Sequence, residues 1–86
     1  MGKEQEGFQA KVISEDEVIF FGRCNVLFVP SKQGKVAILP YHTPMVMMLT
    51  AGSVEVKVDK QKQHIADIKQ GLLYVAENEV SVLINV

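Results

Sequence analysis

Ser53-Val54-Glu55-Val56-Lys57-Val58-Asp59 decides the fold. Val54, Val56 and Val58 fall on one side of an extended backbone, and the polar residues between them fall on the other. Successive side chains of a strand point to opposite faces, so this alternation predicts a half-buried antiparallel strand. Valine also favours the pleated geometry, because its branched Cβ restricts χ1 and packs well on a sheet surface.

The two-residue period recurs on both sides of this segment. Upstream, Phe8, Ala10, Val12 and Ser14 alternate with Gln9, Lys11 and Ile13, and Glu15-Asp16-Glu17 forms a polar turn. Val18 to Phe21 reads as a short buried run that ends at Gly22. Arg23 to Val29 alternates around Cys24, Val26 and Phe28 and ends at Pro30. A polar loop, Pro30 to Gly34, precedes a short strand over Val36 to Leu39. Downstream, Asp59 to Gln63 is a charged turn and His64 to Ile68 alternates again. Gly71 opens Leu72-Leu73-Tyr74-Val75-Ala76, and Glu77-Asn78 turns the chain into Glu79 to Ile84. No stretch holds a helical period over three turns. About nine or ten short strands, with turn signals every 6–10 residues or so, predict an all-β fold: a flattened barrel or sandwich of two packed sheets.

Composition narrows the function. A chain of 86 residues predicts one domain, and residues 1–7 read as a solvated, flexible tail before a domain over 8–86. Hydrophobic content of 48% is too high for a disordered chain. A formal net charge of −1 supplies no global field to gather nucleic acid or an anionic membrane. Cys24 is the single cysteine, so no intrachain disulfide forms, and a lone thiol fits a reducing compartment. Met1 to Gly7 lacks the apolar run of a signal peptide, and Met45 to Leu49 is too short to cross a bilayer. A membrane is expected only through a partner.

Chemistry-bearing patterns are sparse. His42 and His64 are the only histidines and lie 22 positions apart, with no second ligand close to either, so no metal site is expected. His64 reads as a surface residue on its strand. No serine sits in a nucleophile elbow, and Cys24 reads as a core thiol. The acidic run at 15–17 reads as a solvated turn rather than an acid/base pair. No glycine loop suits a phosphate, and the aromatics lack interleaved basic residues for single-stranded nucleic acid. No catalytic residue and no cofactor follow. A small free-standing β-barrel binding a ligand or metal through the histidines is the alternative reading.

The distinctive segment is Gly34-Lys35-Val36-Ala37-Ile38-Leu39-Pro40-Tyr41-His42-Thr43-Pro44. Its two prolines fix φ on either side of His42, which is either a turn histidine bonded to nearby backbone or a contact residue. Met45-Val46-Met47-Met48-Leu49 follows at once. A sandwich strand turns only one face to the core, so a strand apolar on both faces predicts a covered outer face. Methionine suits such an adaptable contact.

These motifs carry a family resemblance over about Phe8 to Ile84. Phe20-x-Gly22 comes first, then Gly34-x-x-x-Ile38-Leu39-Pro40-x-His42-x-Pro44. Gly52 precedes the valine strand, and Gly71-x-Leu73-x-Val75 precedes Asn78-x-Val80-x-Val82-Leu83. Together they resemble the N-terminal β-domain of the epsilon subunit of bacterial F-type ATP synthases, called delta in mitochondria. The resemblance implies two packed sheets of about ten strands. It implies a non-catalytic rotor subunit of the central stalk, coupling c-ring rotation to the catalytic head. It places the subunit at the cytoplasmic face of the bacterial inner membrane, peripheral, as part of the complex. Its gamma-binding positions match Ser14, His42, Thr43, Pro44, Met45 and Met47. Its c-ring end matches Pro30, Ser31, Lys32, Gln33, Gly34 and Lys35.

The sequence also departs from the family pattern. The resemblance implies an acidic residue where Lys35 stands, and glycine where Ala37 and Tyr41 stand. Family members commonly continue into a C-terminal helical hairpin, for which this sequence contains no segment, so no helical hairpin is expected in the fold.

Overall fold

The computed structural model describes residues 7–85. They form nine strands and no helix: β1 (Phe8–Ile13), β2 (Val18–Cys24), β3 (Val26–Ser31), β4 (Gly34–Ile38), β5 (Met45–Leu49), β6 (Gly52–Val58), β7 (Gln61–Ile68), β8 (Gln70–Ala76) and β9 (Glu79–Asn85). The first sheet runs β2-β1-β9-β8-β5 and the second β4-β3-β6-β7. All pairings are antiparallel except β1 with β9. The sheets stay separate, so the fold is a sandwich rather than a closed barrel, with nine strands among the described residues. The expected tail over 1–7 lies outside the described residues except for Gly7, which is buried.

Between the sheets lies one core. Phe8, Ala10 and Val12 of β1, Leu27 and Val29 of β3, Val54 and Val56 of β6, Leu73 and Val75 of β8, and Val80, Val82 and Ile84 of β9 are all buried. Every one of these strands contributes alternate residues, the period on which the fold was read. Apart from Ala10, each such side chain stabilises the native state by roughly 1.5–3 kcal/mol relative to exposure. Cys24 is buried with them, and burial pushes its thiol pKa up to about 11.

Three local readings change. Val18 to Phe21 is not a buried run: Val18, Ile19 and Phe21 are exposed, because β2 is an edge strand of the first sheet. Arg23 to Val29 is not one strand. The chain changes sheet at Asn25, whose amide donates to the Lys57 carbonyl at 2.8 Å. The Asn25 Oδ1 accepts from the Asp59 amide at 2.6 Å, tying this corner to the β6–β7 turn. Pro30 does not end its strand, since Pro30 and Ser31 still pair with Lys35 and Gly34. Proline is tolerated at such a strand end, near the turn.

The remaining sheet changes fall at residues 39–44, 50–51 and 69. Gly52, which opens β6, has φ +156, and a Cβ there would lie 2.6 Å from the Pro30 Cβ. Only glycine lets β6 start this close to β3.

Candidate docking surface

The two outer faces of the sandwich differ. On the second sheet the outer face is charged, and Glu55 pairs two of its lysines. Glu55 Oε1 accepts from Lys35 Nζ at 3.3 Å and lies 3.5 Å from Lys62 Nζ. Both ammonium groups flank the Phe28 ring, at 5.8 and 4.7 Å from its centroid. The Lys35 hydrogen bond, aided by the charge of both lysines, lowers the Glu55 pKa below the ordinary glutamate value. Beside it, Asp67 Oδ1 accepts from Ser53 Oγ at 2.9 Å and lies 3.4 Å from His64 Nε2. Lys35, the charge reversal noted in the sequence, is thus held by an acid within its own sheet.

The outer face of the first sheet carries an apolar patch. Met48 on β5 lies opposite Leu72 on β8, Leu72 opposite Leu83 on β9, and Leu83 opposite Ile13 on β1. A second row runs Val46, Tyr74, Ser81, Lys11 and Phe21. Met48 is 79% exposed and Val46 58%, and Leu72, Tyr74 and Leu83 are exposed with them. A contiguous apolar patch on a folded domain marks an interaction surface.

The site residues read from the sequence fall into three places. Met45 and Met47 are half-buried and pack against the core, leaving Val46 and Met48 as the side chains β5 presents outward. His42, Thr43 and Pro44 lie before the start of β5. Thr43 and Pro44 are exposed, and His42 Nδ1 donates to the Thr43 carbonyl at 2.8 Å, which leaves Nε2 without its proton in the neutral ring. Tyr41, next to His42, has φ 63. Ser14 follows β1, and its amide donates to the Glu17 carbonyl at 2.9 Å. The register puts Ser14 level with the far end of β5, at Leu49. Three inter-strand gaps and the length of β5 therefore separate it from Pro44, on the order of 20 Å. The structure does not bring Ser14 and His42 together.

The other predicted loop is a tight turn at the Ser14 end. Ser31 Oγ donates to the Gly34 carbonyl at 2.8 Å and accepts from the Gln33 amide at 3.2 Å, and Gly34 supplies φ +111. The Thr50 amide donates to the Pro30 carbonyl at 3.2 Å and holds the β5–β6 corner against this turn. Between them opens a groove of about 580 Å³, lined by Ser31, Lys32, Gln33, Met47, Met48, Leu49, Thr50, Ala51, Lys69 and Gln70. Pro30, Gly34 and Lys35 do not line it.

Sequence reading missed Val46, Met48, Leu72, Tyr74 and Leu83 as surface residues, and Lys69 as a groove residue. The apolar run Leu72 to Val75 carried the signal, since it is apolar on both faces as β5 is. Among the described residues no group of three or more His, Cys, Asp or Glu side chains is placed to hold a metal ion.

The apolar patch on the outer face of the first sheet is the candidate docking surface of this sandwich. The chain belongs to the ATP synthase delta/epsilon chain β-sandwich domain family, whose model matches residues 7–86. It is 36% identical over 77 residues to the ATP synthase epsilon chain of Thioalkalivibrio sulfidiphilus, covering 88% of this chain and 55% of that one. Over 72 residues it is 35% identical to the ATP synthase epsilon chain of Nitrosococcus oceani, covering 84% of this chain and 51% of that one. The chain thus spans about half the length of the curated relatives it matches. A chain in the cryo-EM structure of the Euglena gracilis mitochondrial ATP synthase (OSCP, F1 and c-ring) shares the fold. Its TM-score is 0.79 at 20% identity, covering 87% of this chain and 48% of that one. A chain of the Tetrahymena thermophila mitochondrial ATP synthase central stalk and c-ring gives a TM-score of 0.73 at 7% identity, covering 91% and 63%.

Proposed function

We propose that this domain is a non-catalytic part of the central stalk of a rotary F-type ATP synthase. In this reading it binds the gamma subunit and the c-ring and helps pass torque from the ring to the catalytic head. It is peripheral, at the cytoplasmic face of a bacterial inner membrane, and meets the membrane only through the complex. Family membership supports the assembly, and the apolar outer face of the first sheet is the observation that carries the docking role.

Gamma contact is assigned to His42, Thr43 and Pro44, to the exposed edges of Met45 and Met47, and to the outer row that starts at Val46 and Met48. Ser14 is a contact at the opposite end of the same sheet, so gamma must span the sheet to reach both groups. The c-ring contact is assigned to the β3–β4 end, Pro30 to Lys35. Torque needs no chemistry from the domain. It needs a rigid body held at two places, and a single core between two sheets provides one.

Co-purification with gamma from the same organism tests this reading, comparing wild type with a Val46→Asp/Met48→Asp variant. Both substitutions sit on the outer face and leave the core intact. Wild-type capture lost in a folded variant is the expected result. Absence of wild-type capture by a folded domain overturns the assignment.

A further inference from the structure

Among the described residues four strands lie at a sheet edge: β2 and β5 in the first sheet, β4 and β7 in the second. An edge offers unpaired amide and carbonyl groups to another chain, and charged side chains and bulges guard against that pairing. Three of the four edges carry such guards. β2 has Arg23 and a register shift beside Ile13, and β4 has Lys35. β7 has Lys62, His64 and Asp67, and a register shift beside Glu55. β5 carries none of them. Met45-Val46-Met47-Met48-Leu49 is uncharged and pairs with β8 residue for residue without a shift. Among the described residues its backbone bonds only to β8. Met45 and Met47 pack against the core from this edge yet are only half-buried, so the interior is incompletely covered along β5.

We infer that the edge of β5 receives β5 of a second copy of this chain, antiparallel, about a two-fold axis through Met47. In that register Met47 lies opposite Met47 of the second copy, Val46 opposite its Met48, and Met45 opposite its Leu49. Directly opposite residues of an antiparallel pair share a face, so each pair sets apolar against apolar on one side of the sheet. The strand is thus its own complement, as a two-fold interface requires. Val46 and Met48 meet on the outer face, and the methionines at 45 and 47 gain cover on the inner one. The pairing joins the two five-stranded sheets into one. Pro44, which has no amide hydrogen, and the Thr50 corner limit the ladder to these five residues. So short a contact buries little surface, and the dimer it makes is weak and concentration-dependent. This inference does not rest on the stalk reading.

Sedimentation of the chain alone, from about 10 µM to about 1 mM, tests it beside amide hydrogen exchange at both ends of that range. Wild type is compared with Val46→Lys/Met48→Lys, with Val46→Glu/Met48→Glu, and with an equal mixture of the two. Both positions are exposed, at 58% and 79%, so the variants should keep the wild-type dispersion of NMR signals. Wild type should dimerise with rising concentration. The β5 amides that point away from β8 should then exchange several-fold more slowly. Either variant alone sets like charges opposite each other and should weaken the dimer about tenfold or more. The mixture sets lysine opposite glutamate twice and should regain the association. A chain that stays monomeric throughout overturns the inference. So does a dimer that leaves the β5 amides unprotected, which would be a stacking of sheet faces, or one that the charged variants do not weaken. Gamma takes no part in these measurements, so the stalk reading can stand or fall separately.

Discussion

Met48 stands directly opposite Leu72 on the outer face of the first sheet, and its chain neighbour Met47 points the other way, into the core. One residue of register therefore separates a docking contact from a packing contact. Met47→Asp places a carboxylate among apolar side chains and should destabilise the domain by about 3 kcal/mol or more. Met48→Asp exposes its charge to water and should change stability by no more than about 1 kcal/mol. Urea unfolding of the two variants decides it. Equal losses would mean that β5 is not phased as described.

Glu55 gives the charged sheet a pH signature. Its folded-state pKa lies below the ordinary value of 4.5, chiefly through the hydrogen bond from Lys35. The unfolded chain binds the proton more readily, so the pairing stabilises the native state at pH values above 4.5. That contribution is lost as pH falls through the folded-state value. NMR titration of Glu55 should show a midpoint below 4.5 in wild type, moved upward by Lys35→Met and less so by Lys62→Met. A midpoint indifferent to Lys35 would remove the ion pair from the solution structure.

Much of this architecture was legible because burial leaves a period in sequence. Phe8, Ala10 and Val12, and Val54 and Val56, read as inward-facing and are inward-facing. The reading went astray where both faces of a strand are apolar, since alternation then carries no phase. In β5 the phase is set by Leu49, which enters the core at the Thr50 corner and draws Met47 and Met45 in with it. Edge position was invisible for a similar reason: Val18-Ile19-Phe20-Phe21 has the composition of a buried run and lies at the rim of a sheet. Lys69 was passed over as a groove residue because only the fold brings it beside the β3–β4 turn, 36 positions earlier in the chain if counted from Gln33.

Cys24 offers a probe of global opening. Its thiol is buried, with a pKa raised to about 11 by desolvation, so at neutral pH it is a protonated core group. Alkylation by iodoacetamide at pH 8 should be slow in buffer and should accelerate with urea in step with unfolding. The ordinary thiol pKa is 9.0, so between that value and about 11 the unfolded chain loses the proton while the native state keeps it. Stability should therefore fall as pH rises across that window, and Cys24→Ala should remove that part of the decline. Rapid alkylation in buffer would show that the β2–β3 corner opens locally.

Tyr41 is the strained position of the segment that carries the family resemblance. Its φ of 63 lies in the left-handed region, where an aromatic side chain crowds its own backbone. Among the described residues the other two non-glycine positions with positive φ are Asp59 and Asn78, types that tolerate it. Glycine, which the resemblance implies at position 41, adopts this φ without that penalty. Tyr41→Gly removes a conformational cost of roughly 1–2 kcal/mol. It returns about 0.5–1 kcal/mol through the greater freedom of the unfolded chain. Tyr41 is 77% exposed, so the substitution forfeits little packing. The expected net effect is a gain of about 0.5–1 kcal/mol. Tyr41→Val, β-branched and poorly suited to positive φ, should lose stability instead. Paired urea denaturation curves read both. A destabilised glycine variant would mean that the Tyr41 ring stabilises the turn by more than its backbone conformation costs.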